Sequence, residues 1–497
     1  MKSFLNSKFV LVLIVLIAFV LRFYQLGVVP PHLNWDEASN GYNAYSILKT
    51  GRDEYGNFMP QTFKAFGDYN LALSVYTLVP SIAIFGLNQF AVRFPSALLG
   101  TLTILVTYLL ALKIFQNKKI ALLSAFLLAI DPWHLQFSRY DHEANFMVFW
   151  SILGVTTYLY GKRSQKGLVL TAAFFGLALN TYHGAKIWIP LILILLAVTN
   201  FKSLLKFRKK LILPVVVFLI FTIPIISNFQ NSLIRGQSVG IFSKKDFLQT
   251  FISNYLSHYN LNFLFTNGDS IGRHSVSGMG ELYVFELPLV LAGLVFLIHQ
   301  KEKKWLLLLW FLTAAIPAAL ASPTPHALRA LTFIPLYPMF ASVGFYQITK
   351  IRNNYFKQAI LTTLILIGSY NVATYLHLYY IHYPRQKALD WQDGFRQTMD
   401  YIKNIEGNYQ TIAISNYYGH PYIFTLFYSQ YPPDKYFGTK DGENGFDKYE
   451  FFGASWGKTK PGKALLVTPM WQSHAPKVLK NIYSTDGDLR YVISETE

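Results

Sequence analysis

Long apolar runs dominate the chain up to about residue 380 and then stop. Phe9 to Val20 is one such run, and Ile360 to Gly368 with its apolar flanks is another. Runs near 20 apolar residues are long enough to cross a bilayer as a helix. The pattern predicts about eleven helical spans, at about 8–26, 92–112, 119–133, 144–160, 167–182, 187–200, 211–227, 283–299, 305–321, 330–348 and 358–378. Two long loops interrupt them, 27–90 and 228–282. Within the first loop, Leu71 to Leu87 is apolar enough to cross but is broken by Pro80 and Gly86. It reads as a re-entrant or interfacial helix.

Beyond residue 385 charges of both signs return, with turn signals at Pro432-Pro433 and Asp441-Gly442. Thr411–Ser415, Ala464–Thr468 and Tyr491–Ser494 read as short strands, and Asp390–Ile405, Pro421–Tyr428 and Lys477–Tyr483 as helices. That alternation predicts a small α/β domain over 385–497, after a transmembrane domain over 1–384 that includes both long loops. The fold class is therefore mainly α, a polytopic transmembrane helical bundle with a small C-terminal α/β domain. No internal repeat is visible, which argues against a secondary transporter.

Composition sharpens this picture. Of the 497 residues 52% are hydrophobic and 14% charged, against roughly 25% charged in soluble domains. The formal charge of +18 would suggest nucleic acid if it formed a stripe on a soluble module. Instead it sits in short loops: Lys113/Lys118/Lys119, Lys162/Arg163/Lys166, Lys202/Lys206/Arg208/Lys209/Lys210, Lys301/Lys303/Lys304 and Lys350/Arg352/Lys357, offset by Glu302. That is the positive-inside signature of cytoplasmic loops. It places the amino end in the cytoplasm and 27–90, 228–282 and 385–497 on the extracytoplasmic side of the plasma membrane. No nucleic-acid partner is expected. The first apolar segment follows Lys2 and Lys8 and continues as Leu21-Arg22-Phe23-Tyr24, with no small-x-small cleavage site, so it reads as an uncleaved span. With no cysteine, disulfides, thiolate metal sites and cysteine nucleophiles are excluded.

Ionisable residues gather at the predicted outer membrane edge. Asn34-Trp35-Asp36-Glu37 opens a helix that ends at Gly51. A capping box uses Asn34 and Glu37 and leaves Asp36 in the first turn, where the helix dipole favours its charged form. Asp36 is a candidate general base, with Glu37 beside it. A second group runs through Ser138-Arg139-Tyr140-Asp141-His142-Glu143. Asp141 and Glu143 could hold a divalent cation or acceptor hydroxyls, or could simply pair with Arg139. His134 and His142 lack helical metal-ligand spacing, so a zinc site there is disfavoured. Lys186, after Tyr182-His183-Gly184, and Arg329, after His326, lie where positive charge runs against the topology signal. They either snorkel to lipid headgroups or hold an anion. Lys64 is a third cation of this kind.

These residues, in this order, resemble bacterial members of glycosyltransferase family 39, which includes protein O-mannosyltransferases and the aminoarabinose transferases of lipid A. The similarity runs through Trp35-Asp36-Glu37, Gly51-Arg52-Asp53-Glu54-Tyr55-Gly56, Phe66-Gly67-Asp68-Tyr69, Gly86-Leu87-Asn88, Arg93-Phe94-Pro95-Ser96-Ala97, Ser138-Arg139 to Glu143, Tyr182-His183 and His326-Ala327-Leu328-Arg329. The resemblance implies a GT-C bundle whose active site lies at the outer interface. It implies a polyprenyl-phosphate sugar as donor and a protein, lipid or glycan acceptor. It maps the base onto Asp36 with Glu37, the second acidic loop onto Asp141 and Glu143, and donor-phosphate binding onto Arg329, with Lys64 and Lys186 as further cations. Arg139, Tyr182, His183 and His326 take supporting places. Where the resemblance leads one to expect arginine, this chain has Lys186, which offers a point charge rather than a fork. The Trp-Trp-Asp motif of oligosaccharyltransferases is absent, which argues against whole-oligosaccharide transfer to asparagine.

A lipid phosphate is already a good leaving group, so one carboxylate base and cations near the phosphate would suffice for transfer to a hydroxyl. A single displacement would invert the anomeric centre. No cofactor is required by this chemistry; a divalent cation is left open. The arrangement expected is an anionic side chain and phosphate-holding cations facing one cavity. The alternative is a transporter or lipid flippase, which calls for charged or broken helices near the bilayer midplane.

Overall fold

The computed structural model describes residues 7–206, 208–300, 305–437, 442–457, 462–472 and 477–496. The basic loop Lys301/Lys303/Lys304 with Glu302, together with Lys2 and Asp441, lies outside the described residues. Each of the eleven apolar segments contains a helix. The first is Ser7–Phe23 (α1); Trp35–Thr50 (α2), Ala72–Phe85 (α3) and Gln89–Phe115 (α4) follow. The later segments form Lys118–Ile130, Glu143–Gly161, Gln165–Leu179, Ala185–Thr199, Ile212–Ser227, Glu286–Ile298, Trp305–Ala314, Leu336–Ile348 and Asn354–His377.

Among the described residues, four stretches are long and apolar enough to cross a bilayer: Gln89–Phe115, Arg208–Ser227, Leu331–Ile348 and Asn354–Gln386. Lys118–Ile130 and Pro132–Ser138, bent by 58°, make a fifth if they form one span. Crossings by the shorter helices remain an expectation. Along Ile212–Ser227, Ile212, Ile220 and Ile226 are more than half exposed. A stripe of that size is stable only against another apolar phase, and the chain is an integral membrane protein. Helix α3 has 14 residues with Pro80 inside. It rises about 21 Å at 1.5 Å per residue, short of the roughly 30 Å hydrocarbon core.

The chain packs as two compact units. One comprises residues up to Tyr24, Phe66–Ser74 and Ser96–Leu378; the other comprises Gln25–Ala65, Val75–Pro95 and Tyr379–Glu497. The first loop, grouped with the helical bundle on sequence grounds, thus contributes most of its length to the second unit.

Small residues let helices of the first unit approach closely. A methyl group added at Gly293 would collide with the backbone oxygen of Phe340, and one at Gly344 with that of Leu289. Glu286–Ile298 and Leu336–Ile348 therefore touch backbone to backbone, the packing that dispersion favours where no hydrophobic drive exists between helices.

The second unit is built on a six-stranded mixed sheet. Earlier in the chain, β1 (Thr62–Ala65) belongs to this unit and β2 (Asp68–Leu71) to the first. The sheet itself comprises β3 (Thr411–Ser415), β4 (Gly445–Phe446), β5 (Tyr449–Phe452), β6 (Ala464–Thr468), β7 (Lys477–Tyr483) and β8 (Leu489–Thr496). Their order is β4-β5-β3-β6-β8-β7, with β3 parallel to β5 and β6, and β8 antiparallel to β6 and β7. Every residue of β3 is buried. The α/β reading holds, with one correction. Lys477–Tyr483, expected as a helix because Val478, Leu479 and Ile482 repeat at helical spacing, is an edge strand paired to β8. Ladder hydrogen bonds outweigh local propensity there. The helix expected from Asp390 begins at Phe395, because Gln392 and Gly394 take left-handed conformations, φ 47° and 115°.

Helix α2 shows the local logic of this unit. The Asn34 side chain accepts from the Glu37 N–H and the Glu37 carboxylate from the Asn34 N–H, a complete capping box. Gly51 ends the helix at φ 70°, which a side chain would resist. Gly41 lies against Phe427 and Val92, with no room for a β-carbon, so α2 seats on Pro421–Ser429. Arg93 is fully buried. Its Nε donates to Glu37 Oε1 at 2.9 Å, Nη2 to Glu37 Oε2 at 3.1 Å, and Nη1 to the Pro30 carbonyl at 2.7 Å. Both members of the pair are 0% exposed. Removing one partner strands a buried charge at a cost of about 3–5 kcal/mol. Arg93→Ala is therefore expected to lower the thermal unfolding midpoint in detergent far more than substitution of the exposed Arg396. Equal midpoints for the two variants would refute this anchoring role.

Candidate functional site

The expected site residues fall in both units, and each group is described by itself. In the second unit, Asn34 caps α2, so Asp36 occupies its first turn and is half-buried. Asp36 stands in the first turn of the helix, where the dipole stabilises negative charge. Trp35, beside it, meets the His420 ring edge-on at 5.6 Å. Glu37 was expected to share the catalytic role. Its two oxygens are instead engaged by Arg93 and by the cap, which makes it a strut that sets the start of α2.

The same unit holds Lys64 on β1. Its Nζ lies 4.8 Å from the Tyr55 ring centre and 4.0 Å from Glu443 Oε1, with the side chain about half exposed. Glu54 is buried, and its Oε1 accepts from Asn43 Nδ2 at 2.9 Å. Desolvation pushes its carboxyl up to about 8, against the Asn43 hydrogen bond.

In the first unit the helix 118–130 stops at Asp131, whose Oδ1 accepts from the His134 N–H at 2.8 Å and caps Pro132–Ser138. Fully buried Arg22 reaches into this break, donating to the Ala129 carbonyl at 3.0 Å and to His134 Nδ1 at 2.8 Å. Broken helices in a membrane protein need such partners for freed carbonyls. Arg139, also buried, donates to the carbonyls of Leu21 at 2.6 Å and Tyr24 at 2.8 Å, tying the second acidic loop to the end of α1. Asp141 is buried, and Glu143 Oε2 lies 3.0 Å from His142 Nδ1. His142 caps the helix that follows, accepting from the Ala144 N–H at 3.2 Å, and its ring meets Tyr182 at 5.9 Å.

Four expected residues come together around one cavity of about 200 Å³, lined by Tyr182, His183, Lys186 and Arg329 along with the Gly236–Gly240 backbone. His183 Nε2 lies 2.7 Å from the Tyr69 carbonyl, so that nitrogen carries the proton. Its Nδ1 lone pair then receives Lys186 Nζ at 3.1 Å. Arg329 Nη1 donates to the Pro323 carbonyl at 3.3 Å. Two cations thus line one small, largely apolar chamber, where low polarity strengthens their pull on an anion. A larger cavity, about 790 Å³, lies at Lys113, Lys162 and Arg163, and no carboxylate lines it among the described residues. It belongs to the basic loops that set topology, and its residues offer no base.

His326 lies at 5% exposure and donates its backbone N–H to His258 Nε2 at 3.2 Å. Sequence reasoning did not single out Asp269, His274 or Arg93 for a site. Arg93 stood in the similarity pattern, but nothing in its spacing linked it to Glu37, 56 positions earlier. Asp269 and His274 gave no signal, because their partners come from a loop about fifty residues away.

The fold is that of the GT-C glycosyltransferase superfamily. Residues 73–227 match the family of dolichyl-phosphate-mannose-protein mannosyltransferases. Among solved structures the chain resembles ArnT from Cupriavidus metallidurans, at TM-score 0.59 and 14% identity over 97% of each chain. That protein has also been solved bound to undecaprenyl phosphate, with TM-score 0.58 to this chain at 15% identity. The Archaeoglobus fulgidus oligosaccharyltransferase aligns at TM-score 0.56 and 14% identity, over 86% of this chain and 64% of that one. An uncharacterized protein of Aquifex aeolicus is 32% identical over 166 residues, 33% of this chain. The chain spans about a third of that relative's length.

Burial of Glu54 gives a pH prediction. Its folded-state pKa near 8 exceeds the ordinary 4.5. The unfolded chain therefore loses this proton first, and stability falls as pH rises from about 4.5 to about 8. Glu54→Gln keeps the acceptor for Asn43 and removes the titration. Its melting temperature is expected to exceed the unsubstituted protein's by a margin that grows across that window, read by scanning fluorimetry. A margin that does not change with pH would refute the assignment.

Proposed function

We propose that this protein is a membrane glycosyltransferase that moves a sugar from a polyprenyl-phosphate donor to an acceptor hydroxyl on the extracytoplasmic side of the membrane. The observation that carries the reading is the cavity lined by both Lys186 and Arg329. The match to a mannosyltransferase family and the fold shared with a protein solved on undecaprenyl phosphate support it.

In the proposed reaction Asp36 takes the proton of the acceptor hydroxyl. The new glycosidic C–O bond forms as the anomeric carbon–phosphate oxygen bond breaks, and the lipid phosphate leaves with one further negative charge. One displacement inverts the anomeric centre. Arg329 and Lys186 meet the charge that grows on the phosphate, with Lys64 as a further cation. Asp141 and Glu143 hold acceptor hydroxyls or a divalent cation. Tyr182, His183, Arg139 and His326 keep these groups in place.

Asp36→Asn preserves size and the helix start but removes the base. Transfer is expected to fall by about 10²–10⁴-fold while the melting temperature stays close to that of the unsubstituted protein. Unchanged turnover would remove Asp36 from the mechanism. Arg329→Ala removes a charge-assisted contact worth about 1.5–3 kcal/mol. Donor affinity, titrated with polyprenyl-phosphate sugar, is expected to drop roughly tenfold to hundredfold while acceptor affinity holds. Equal donor affinity would end the phosphate role of Arg329.

A further inference from the structure

Asp269, His274 and His326 meet in the first unit. All three are at least 94% buried. Asp269 Oδ2 lies 2.8 Å from His274 Nδ1 and 3.9 Å from His326 Nδ1, and one ligand atom from each falls within 4.8 Å of the other two. The imidazole rings stand 4.8 Å apart at 46°. Phe137 closes one side of His274, with ring centres 5.4 Å apart.

A plain hydrogen-bonded staple accounts for part of this cluster. Asp269 Oδ2 accepts the Ala327 N–H at 2.7 Å, its Oδ1 accepts the Ile271 N–H at 2.9 Å, and its own N–H donates to Glu281 Oε1 at 2.9 Å. The staple leaves one atom over. His326 Nδ1 is buried and has no hydrogen-bond partner among the described residues. At 3.9 Å from the carboxylate it is too far to donate, and a buried polar atom left without a partner is destabilising. A neutral imidazole carries one lone-pair nitrogen, which is the atom a metal ion takes.

We infer that Asp269 Oδ2, His274 Nδ1 and His326 Nδ1 bind one divalent transition-metal ion of the zinc class. Two imidazoles and one carboxylate suit that ion better than calcium or magnesium, which prefer all-oxygen ligands. With metal–ligand distances near 2.0–2.1 Å, tetrahedral ligands stand about 3.3 Å apart. The observed 2.8 and 3.9 Å bracket that value, so small ring movements bring each imidazole to that separation from the carboxylate. On metal binding the His274 proton moves from Nδ1 to Nε2, and no net charge change in the protein is required. Glu281, which accepts the Asp269 N–H, then orients the carboxylate from behind. The ion fixes the loop through His326 and Ala327, three residues before Arg329, and so acts in positioning rather than on substrate. The metal site stands on this geometry alone; only its link to Arg329 rests on the transferase reading.

The test is metal analysis of the full chain, purified in detergent through a tag without histidine. About one equivalent of zinc per chain is expected, with less than a tenth of an equivalent in His326→Ala and an unchanged content in His299→Ala, a histidine at the end of a different helix. If the His326 variant fails to fold, chelator-stripped unsubstituted protein is titrated with Co²⁺. Visible absorption bands that saturate at one equivalent support the site. No zinc in the purified protein together with no Co²⁺ bands overturns it, as does full metal content in a folded His326→Ala. Neither readout uses donor or acceptor, so failure here leaves the transferase proposal standing, and the reverse.

Discussion

The buried guanidinium of Arg93 is the constraint on which the placement of the first-loop helix depends. It binds both oxygens of Glu37 and the carbonyls of Leu26, Pro30 and His32, with its face 5.5 Å from the Trp391 ring centre. An unpaired charge at zero exposure would be very costly, so chain entry, helix start and cation are tied into one geometry. Glu37 belongs at once to the capping box and to the ion pair. It cannot move without releasing Arg93, and Arg93 cannot move without stranding three carbonyls. Asp36, one residue earlier, takes its place in the first turn from this lock.

Arg22 and Arg139 apply the same device in the other unit. Both are fully buried and both hold main-chain carbonyls, at the break after Ile130 and at the end of α1 respectively. A guanidinium carries several donors and no acceptor, which matches the need of an interrupted helix in a lipid setting, where water is not available to satisfy free carbonyls. Such arginines cost charge desolvation but permit non-helical backbone at a depth where it would otherwise not persist.

Much of this was legible from one sequence. The eleven apolar segments all proved helical, because near-continuous apolarity over such lengths has few other solutions. Asn34, Glu37 and Gly51 delimit α2 as read, since caps are local chemistry. Lys186 and Arg329 stood out because they sit against the topology signal; that Tyr182 and His183 line one cavity with them is seen only in the fold. What escaped was non-local. Lys477–Tyr483 has helical apolar spacing, and only its pairing to β8 makes it a strand. Glu37 was legible as a capping residue, but its ion pair with Arg93, 56 positions on, carried no local signal. The Asp269 cluster joins two loops whose separation gives no spacing rule to recognise.

The cavity of Lys186 and Arg329 uses two cations of different character. Arg329, half-buried and held at one nitrogen by the Pro323 carbonyl, still presents a planar fork that fits two phosphate oxygens. Lys186 offers a point charge with no directional fork, and geometry must come from its neighbour. His183 supplies it: the Tyr69 carbonyl fixes the ring proton on Nε2, so the Nδ1 lone pair faces the ammonium. On the proposed chemistry this division suits a departing phosphate. The fork orients the donor before reaction, while the point charge, already aimed, meets an oxygen whose charge rises as the glycosidic bond lengthens. An interaction that strengthens along the reaction lowers the barrier, whereas one equally strong throughout only tightens binding.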